Sequence, residues 1–150
     1  MKKTIASLLT MFVVLSVSAQ IENPVTWSFA ATKKADKVYE VTLTATVAKP
    51  WHIYSQTTPD GGPLPTSFTF KQNPLITLDG KVKETGKLKT DHDKNFGVDV
   101  KYYSDKVVFT QTVKLKAAVK TNLSGSLEFM VCNDEKCLPP KTVPFDIKLQ

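Results

Sequence analysis

The residues with the clearest chemical potential are two cysteines, Cys132 and Cys137, in the segment FMVCNDEKCLPP (129–140). They are the only cysteines in the chain, and four residues separate them. A pair of thiols can form a structural disulfide, ligate a metal ion or exchange electrons with another dithiol. Ligand counting, loop size and strand alternation bear on which of these three uses applies.

A metal site is the weakest of the three uses. Zinc sites in proteins need about four nitrogen or sulfur ligands, and this chain adds only His52 and His92 to its two cysteines. The two histidines lie far apart in sequence and lack the short spacing of paired zinc ligands. We therefore expect no metal ion, and no organic cofactor either, because dithiol exchange needs none.

Loop-closure entropy weakens the case for a purely structural disulfide. In the chain-entropy treatment a loop of about six residues contributes only ~2 kcal/mol, against ~4 kcal/mol for a bridge that closes some sixty residues. The alternation in SLEFMVC places Cys132 on the strand face opposite Leu127 and Val131. If that opposite face is the core, a partner could reach the disulfide, and accessible, tightly looped disulfides are those that exchange. Spacing alone still leaves a structural role open.

The elements that must hold this pair are β-strands. VYEVTLTATV (38–47) alternates apolar and polar residues with the period of a half-buried strand, and VVFTQTVKLK (107–116) and VPFDIKL (143–149) repeat the pattern. Shorter apolar runs lie between turn signals such as Asp79-Gly80. No window has a sustained helical period. Roughly eight or nine short strands predict an all-β fold, an antiparallel β-sandwich of the immunoglobulin-like kind.

Two segments are predicted to be unusual loops. One is the Pro/Gly-rich TTPDGGPLP (57–65), and the other is the polar KTDHDKNFG (89–97), whose single large apolar residue is Phe96. An aromatic side chain in a charged loop either folds back onto the protein or is free to meet a partner.

The amino terminus has the layout of a secretory signal peptide. Lys2 and Lys3 precede an apolar run that ends in small residues at Ala19. We predict cleavage after Ala19, which leaves 150 − 19 = 131 residues (20–150) as a single domain. No later run is long and apolar enough to span a membrane. The sequence thus predicts an exported protein with no membrane span in the mature chain.

The charge pattern argues against nucleic acid as a partner. All 20 basic residues are lysines, scattered among 14 acidic residues, and the net charge is +6. Proteins that read nucleic acids rely heavily on arginine for bidentate contacts. A solvated surface is the simpler interpretation of these lysines.

Several segments together resemble the amino-terminal periplasmic domain of the bacterial thiol:disulfide interchange protein DsbD. The most specific is VCNDEKCLPPK (131–141), which is similar to the family's two cysteines and the prolines that follow them. PWHIYSQ (50–56) resembles the strand that carries an aromatic pair beside the cysteines. KNFGVDVKYYSDKVVF (94–109) resembles the family's cap loop and the strand after it. The similarity covers essentially the whole predicted mature chain.

The resemblance implies roles for five residues. Cys132 and Cys137 would be the exchanging pair, with Cys137 forming the mixed disulfide and Cys132 attacking it. Phe96 would be the cap residue that covers the sulfurs until a partner displaces it. His52 and Tyr54 match the aromatic pair that helps to shield the site.

The resemblance also implies an activity: a periplasmic protein-disulfide reductase that relays electrons. The partners would be thioredoxin-like periplasmic proteins, which isomerise disulfides or mature c-type cytochromes. Because the sequence stops after one domain, we expect a separate membrane electron donor, and we expect a monomer. Two alternatives remain: a non-enzymatic immunoglobulin-like binding or assembly module with a structural disulfide, and a paralogue that kept the cysteines but lost its donor.

Three features depart from the family pattern. Four residues separate the cysteines, where five are familiar in the proteobacterial members. His52 stands where a tyrosine is common. In the cap loop Lys94 and Asn95 stand where acids are common, although Asp91 or Asp93 could substitute.

Overall fold

The structure is a computed structural model that describes residues 22–94 and 96–150. The predicted signal peptide (1–19) lies outside these residues. Within them every regular element is a β-strand, as predicted from the alternation. The strands are β1 (Val25–Ala35), β2 (Val38–Val47), β3 (His52–Tyr54), β4 (Ser67–Phe70), β5 (Ile76–Gly86), β6 (Lys89–Asp93), β7 (Val98–Tyr103), β8 (Lys106–Leu115), β9 (Thr121–Cys132) and β10 (Cys137–Leu149).

The strands form two antiparallel sheets, which confirms the predicted sandwich. The first sheet has the order β1-β2-β8-β5. The second has the order β10-β9-β3-β7-β6, and β4 also pairs with β9. Strand β3 pairs with the end of β9 that carries Cys132, so the three-residue strand lies directly beside the cysteines.

The main core lies between the two sheets. On β2 the alternate residues Val41, Leu43 and Ala45 are fully buried, as their spacing predicted. Trp27 on β1 packs against Phe109 and Phe129, with ring centroids 5.8 and 5.5 Å apart. Fully burying a large apolar side chain contributes about 1.5–3 kcal/mol, so this layer provides most of the hydrophobic stabilisation that holds the sheets together.

Strand β5 runs through the Asp79-Gly80 pair, where the sequence predicted a turn. The register against β8 shifts between Asp79 and Lys83, so a local irregularity takes up the turn-forming residues without ending the strand. The buried Gln111 on β8 donates Nε2–H to the Asp79 carbonyl at 3.2 Å. The same Nε2 also donates to the Thr112 carbonyl at 2.9 Å, so this side chain bridges β5 and β8 at the irregularity.

The prediction of a polar loop at residues 89–97 is wrong over most of that segment. Residues Lys89–Asp93 form strand β6, which pairs with β7 from Lys89↔Tyr102 to Asp93↔Val98. Charged residues disfavour strands only weakly, and pairing with a neighbouring strand overrides that preference. Only a short turn around Phe96 remains as the tip of a hairpin.

No helix in residues 22–94 and 96–150 has the length and apolar character required to cross a membrane.

Candidate functional site

The two cysteines face each other at the closed end of the β9–β10 hairpin. Cys132 pairs with Cys137 in the strand register, and their sulfurs form a disulfide with the Cα atoms 4.0 Å apart. Asn133 closes the turn between them: its Oδ1 accepts hydrogen bonds from the backbone N–H groups of Glu135 (2.9 Å) and Lys136 (2.8 Å). Asparagine suits this position because its side chain can mimic a backbone turn.

The disulfide lies on the outer face of the second sheet, away from the main core. Leu127 and Val131 belong to the main core, whereas Cys132 belongs to a second apolar cluster with Tyr54 and Val100. Strand alternation predicted this orientation, and the structure confirms it. Below, "the outer cluster" means these three buried residues and the partly buried side chains packed on them: Phe96, Val98, Tyr102, Met130 and Cys137.

The outer cluster covers one of the two cysteines and leaves the other partly exposed. Cys132 is 0% exposed, and only Cys137 is partly exposed. The expectation of a reachable disulfide is therefore confirmed for Cys137 and wrong for Cys132. Alternation predicts which face a side chain occupies, but it does not show what covers that face.

Strand pairing brings the two predicted aromatic residues to the disulfide. His52 on β3 is directly opposite Cys132 on β9, and Tyr54 is opposite Tyr102 on β7. Opposed residues in an antiparallel pair share a face, with Cβ atoms about 4.5–5.5 Å apart. The His52 ring lies 5.2 Å from the Tyr54 ring and 4.6 Å from the Tyr102 ring.

Phe96 folds back onto the outer cluster. It follows β6 in a turn in which the Gly97 N–H donates to the Asp93 carbonyl at 2.7 Å. Gly97 has a φ of +68°, a conformation that favours glycine. The turn directs the Phe96 side chain against the cluster that contains Cys132 and Tyr54.

A chain of hydrogen bonds crosses the site. The Tyr54 hydroxyl donates to Asp93 Oδ2 at 2.8 Å, and His52 Nε2 lies 3.1 Å from the Tyr54 oxygen. Asp93 is 9% exposed. Burial and, secondarily, the hydrogen bond to Asp93 raise the pKa of Tyr54 well above its ordinary value. Burial lowers the pKa of His52, and this effect outweighs the nearby carboxylates of Asp93 and Asp134.

The Pro/Gly-rich loop 57–65 lies next to the turn that carries Phe96. Gly62 approaches β7 so closely that a Cβ atom there would be 2.8 Å from Val98 Cγ2. The Thr58 hydroxyl accepts from the Lys101 N–H at 2.7 Å and donates to the Lys101 carbonyl at 3.0 Å. The loop is thus attached to the strand that follows Phe96. It also lines a cleft of about 280 Å³ together with Phe96, Met130 and Pro140.

A second cleft, of about 340 Å³, opens beside His52. Its walls mix acids, bases and aromatic groups and include the hairpin turn. The described residues contain no group of three or more His, Cys, Asp or Glu side chains arranged to hold a metal ion. The lining residues are His52, Asp91, His92, Asp93, Lys94, Val100, Tyr102, Asn133 and Asp134.

Sequence reasoning overlooked three contributors to this site. Tyr102 and Val100 complete the outer cluster, and their alternation in VDVKYY (98–103) was the available signal. Asn133 closes the cysteine turn through its side chain. Asp93 was named only as a substitute for missing cap-loop acids, and the structure places its carboxylate on Tyr54.

Comparison with solved structures supports the fold. The amino-terminal domain of DsbD from Neisseria meningitidis, in its reduced form, has 18% identity and a TM-score of 0.56, with 83% of this chain and 84% of that chain covered. The amino-terminal periplasmic domain of ScsB from Proteus mirabilis has 18% identity and a TM-score of 0.55, with 81% of this chain and 44% of that chain covered. No curated protein matches the chain in sequence.

The family assignment rests on a sequence match that spans nearly the whole chain. The family model for the amino-terminal part of the thiol:disulfide interchange protein DsbD matches residues 19–149. This range includes both cysteines, His52, Tyr54 and the turn that carries Phe96. The chain therefore belongs to the family of the DsbD amino-terminal domain.

Proposed function

We propose that this chain is a periplasmic thiol:disulfide exchange domain that relays electrons through Cys132 and Cys137 to other exported oxidoreductases. Its partners are thioredoxin-like proteins, including those that isomerise disulfides or mature c-type cytochromes, and a membrane protein reduces it. One observation carries the proposal: the disulfide at the hairpin tip has one cysteine buried and the other partly exposed, and Phe96 packs on the same cluster.

The proposed reaction has two thiol–disulfide exchange steps. In the reduced domain the Cys137 thiolate attacks a sulfur of the partner's disulfide, whose S–S bond breaks as the mixed disulfide forms. Cys132 then loses its proton, and its thiolate attacks Cys137 Sγ. The mixed disulfide breaks, two electrons have passed to the partner, and the partner leaves as a dithiol. The partial exposure of Cys137 and the burial of Cys132 support this order of attack.

The outer cluster supports a protective role for the cap. The Phe96 side chain packs on the same cluster as both sulfurs. On our proposal a partner displaces this side chain when it docks at Cys137. A small oxidant lacks the surface to compensate for lost cap contacts. We therefore propose that Phe96, with His52 and Tyr54 around it, shields the reduced pair in an oxidising compartment.

Trapping of the mixed disulfide tests the relay. A Cys132→Ala variant leaves Cys137 without its internal partner, so we expect it to retain purified periplasmic thioredoxin-like proteins as mixed disulfides on non-reducing gels. The matched control is Cys137→Ala, which leaves only the buried Cys132 and should trap much less. If neither variant traps a partner that other exchange proteins reduce, the relay is refuted.

The alternative module with a structural disulfide predicts different thermodynamics. A structural disulfide has a reduction potential below about −300 mV and stabilises the fold that contains it. Equilibration with glutathione and with dithiothreitol measures the potential, and thermal unfolding of both redox forms measures the stabilisation. A potential within the glutathione range, with a small change in melting temperature, supports exchange over a structural role.

A further inference from the structure

Strand register places two titratable side chains directly opposite Cys132: its disulfide partner Cys137 on β10 and His52 on β3. The chemistry of that position matters because Cys132 is fully buried. On the proposed exchange mechanism, on which this inference rests, Cys132 must lose a proton before it can attack. A buried thiol has no direct contact with water, so its proton needs an acceptor inside the protein.

The hydrogen-bond chain determines which nitrogen of His52 carries a proton. The Tyr54 hydroxyl has a single proton and donates it to Asp93 Oδ2, because a carboxylate only accepts. The Tyr54 oxygen must therefore accept from His52 Nε2–H, at 3.1 Å. In neutral His52 this leaves the lone pair on Nδ1. Tyr54 and Asp93 thus act as positioning residues that fix the tautomer and the ring.

The surroundings of His52 keep it ready to accept a proton at neutral pH. Burial is the largest influence and lowers its pKa. Asp93 on β6 and Asp134 in the hairpin turn raise that pKa, and Lys89 on β6 lowers it. The two tyrosines in ring contact with His52 are buried or partly buried and have raised pKa values, so they stay neutral. Three more charged or titratable residues line the cleft beside His52: Asp91, His92 and Lys94.

We propose that His52 is the proton acceptor for Cys132 in the second exchange step. Its Nδ1 takes the proton from the Cys132 thiol as that sulfur becomes the attacking thiolate. Cys132 Sγ bonds to Cys137 Sγ, the mixed disulfide breaks, and the electron pair leaves on the partner's sulfur. His52 returns the proton to that leaving thiolate. The step balances without any external acid, base or oxidant.

The test compares two histidine variants that differ in their distance from the disulfide. His52→Gln keeps a side-chain N–H donor for Tyr54 but cannot take a proton. His92→Gln is the matched control, because His92 lines the same cleft but is exposed and pairs with Asp99 at 3.0 Å. Stopped-flow mixing of the reduced proteins with the aromatic disulfide DTNB separates attack by Cys137 from the later step, since each releases one coloured thiolate.

We expect the second phase of the wild type to slow as pH falls, because protonated His52 can no longer accept. His52→Gln should slow that phase by about tenfold or more, since general-base groups typically contribute 10²–10⁴-fold. It should also replace the inflection caused by the histidine with a rate that rises steadily with pH, because the Cys132 thiolate must then form by ionisation to solvent. His92→Gln should keep the wild-type profile. An unchanged second phase in His52→Gln overturns this inference alone. A wild type without a first phase overturns the proposed function itself.

A measurement on the wild type covers the case in which His52→Gln does not fold. NMR titration of the two imidazoles in the oxidised and reduced protein reports each histidine separately. If His52 shares a proton with Cys132, reduction should alter the His52 curve and leave the His92 curve unchanged. Identical His52 curves in both redox states would overturn the inference.

Discussion

The cap can be tested by removing the side chain that forms it. Phe96→Ala deletes a partly buried ring from the outer cluster and leaves the disulfide and its hairpin in place. A phenylalanine buries up to about 150–250 Å². A half-buried ring therefore withdraws about 100 Å² from water, which is worth ~2.5 kcal/mol. Ordering the side chain opposes this by about 0.5–1 kcal/mol.

The net stabilisation of the closed cap is thus about 1.5–2 kcal/mol. If a small reagent reacts only when the cap is open, removal of the ring should speed the reaction by roughly 10- to 30-fold, since 1.4 kcal/mol corresponds to a factor of ten. The assay follows the first phase of reaction between the reduced protein and DTNB under pseudo-first-order conditions.

Phe70→Ala is the matched control for this measurement. Phe70 is also partly buried, but it lies on β4 against Phe145, away from the cysteines. Its loss should lower the melting temperature and leave the rate with DTNB unchanged. A Phe96→Ala rate within twofold of the wild type would refute the cap. So would an equal acceleration in Phe70→Ala, because that result would point to general loosening of the fold.

Three further predictions concern stability. Asn133→Ala removes the acceptor of two backbone hydrogen bonds in the cysteine turn and should lower the free energy of unfolding in urea by about 1–2 kcal/mol; no change would show that water replaces the side chain. Gly62→Ala forces a Cβ to within 2.8 Å of Val98 and should cost about 1–3 kcal/mol; the added change Val98→Ala should recover part of that loss, and failure to do so would disprove the contact. Burial lowers the pKa of His52 in the folded protein below the ordinary value of 6.5. As pH falls below 6.5, His52 therefore gains a proton more readily in the unfolded chain than in the folded one. The stability that the neutral, buried His52 allows above pH 6.5 is lost over this range. Urea unfolding should show this loss in the wild type, and His52→Gln should reduce the slope; equal slopes would contradict the buried, neutral state.

The local parts of the site were predictable, and the parts set by strand register were not. Alternation along β9 placed Cys132 on the face opposite Leu127 because face depends only on the period of the strand. Burial of the sulfur depends on Tyr54 and Val100, which arrive from two other strands. The pairing of His52 with Cys132 joins residues 80 positions apart, and that register is set by the whole sheet. The residue pattern alone could not predict it, and only the family resemblance placed His52 beside the cysteines.

Asp93 shows how a wrong secondary-structure prediction hides the contacts of a side chain. The sequence KTDHDKNFG is polar and was predicted to be a loop, so no partner could be assigned to its carboxylates. In the structure the segment pairs with β7, and the strand period then directs Asp93 toward the outer cluster while its turn carries Phe96 over the same surface. One misassigned strand thus concealed both the partner of Tyr54 and the support of the cap.

The size of the cap energy explains how the site could discriminate between reagents. If Phe96 acts as the proposed cap, its displacement costs each reaction of Cys137 about 1.5–2 kcal/mol. A protein partner that covers about 800 Å² of the surface can recover this by burying the displaced ring and the apolar residues beside it. A small disulfide cannot, so it meets the full penalty. The outer cluster would therefore favour partners that bury a large surface on docking. The same packing excludes water from Cys132, so that His52 would accept the proton of its thiol.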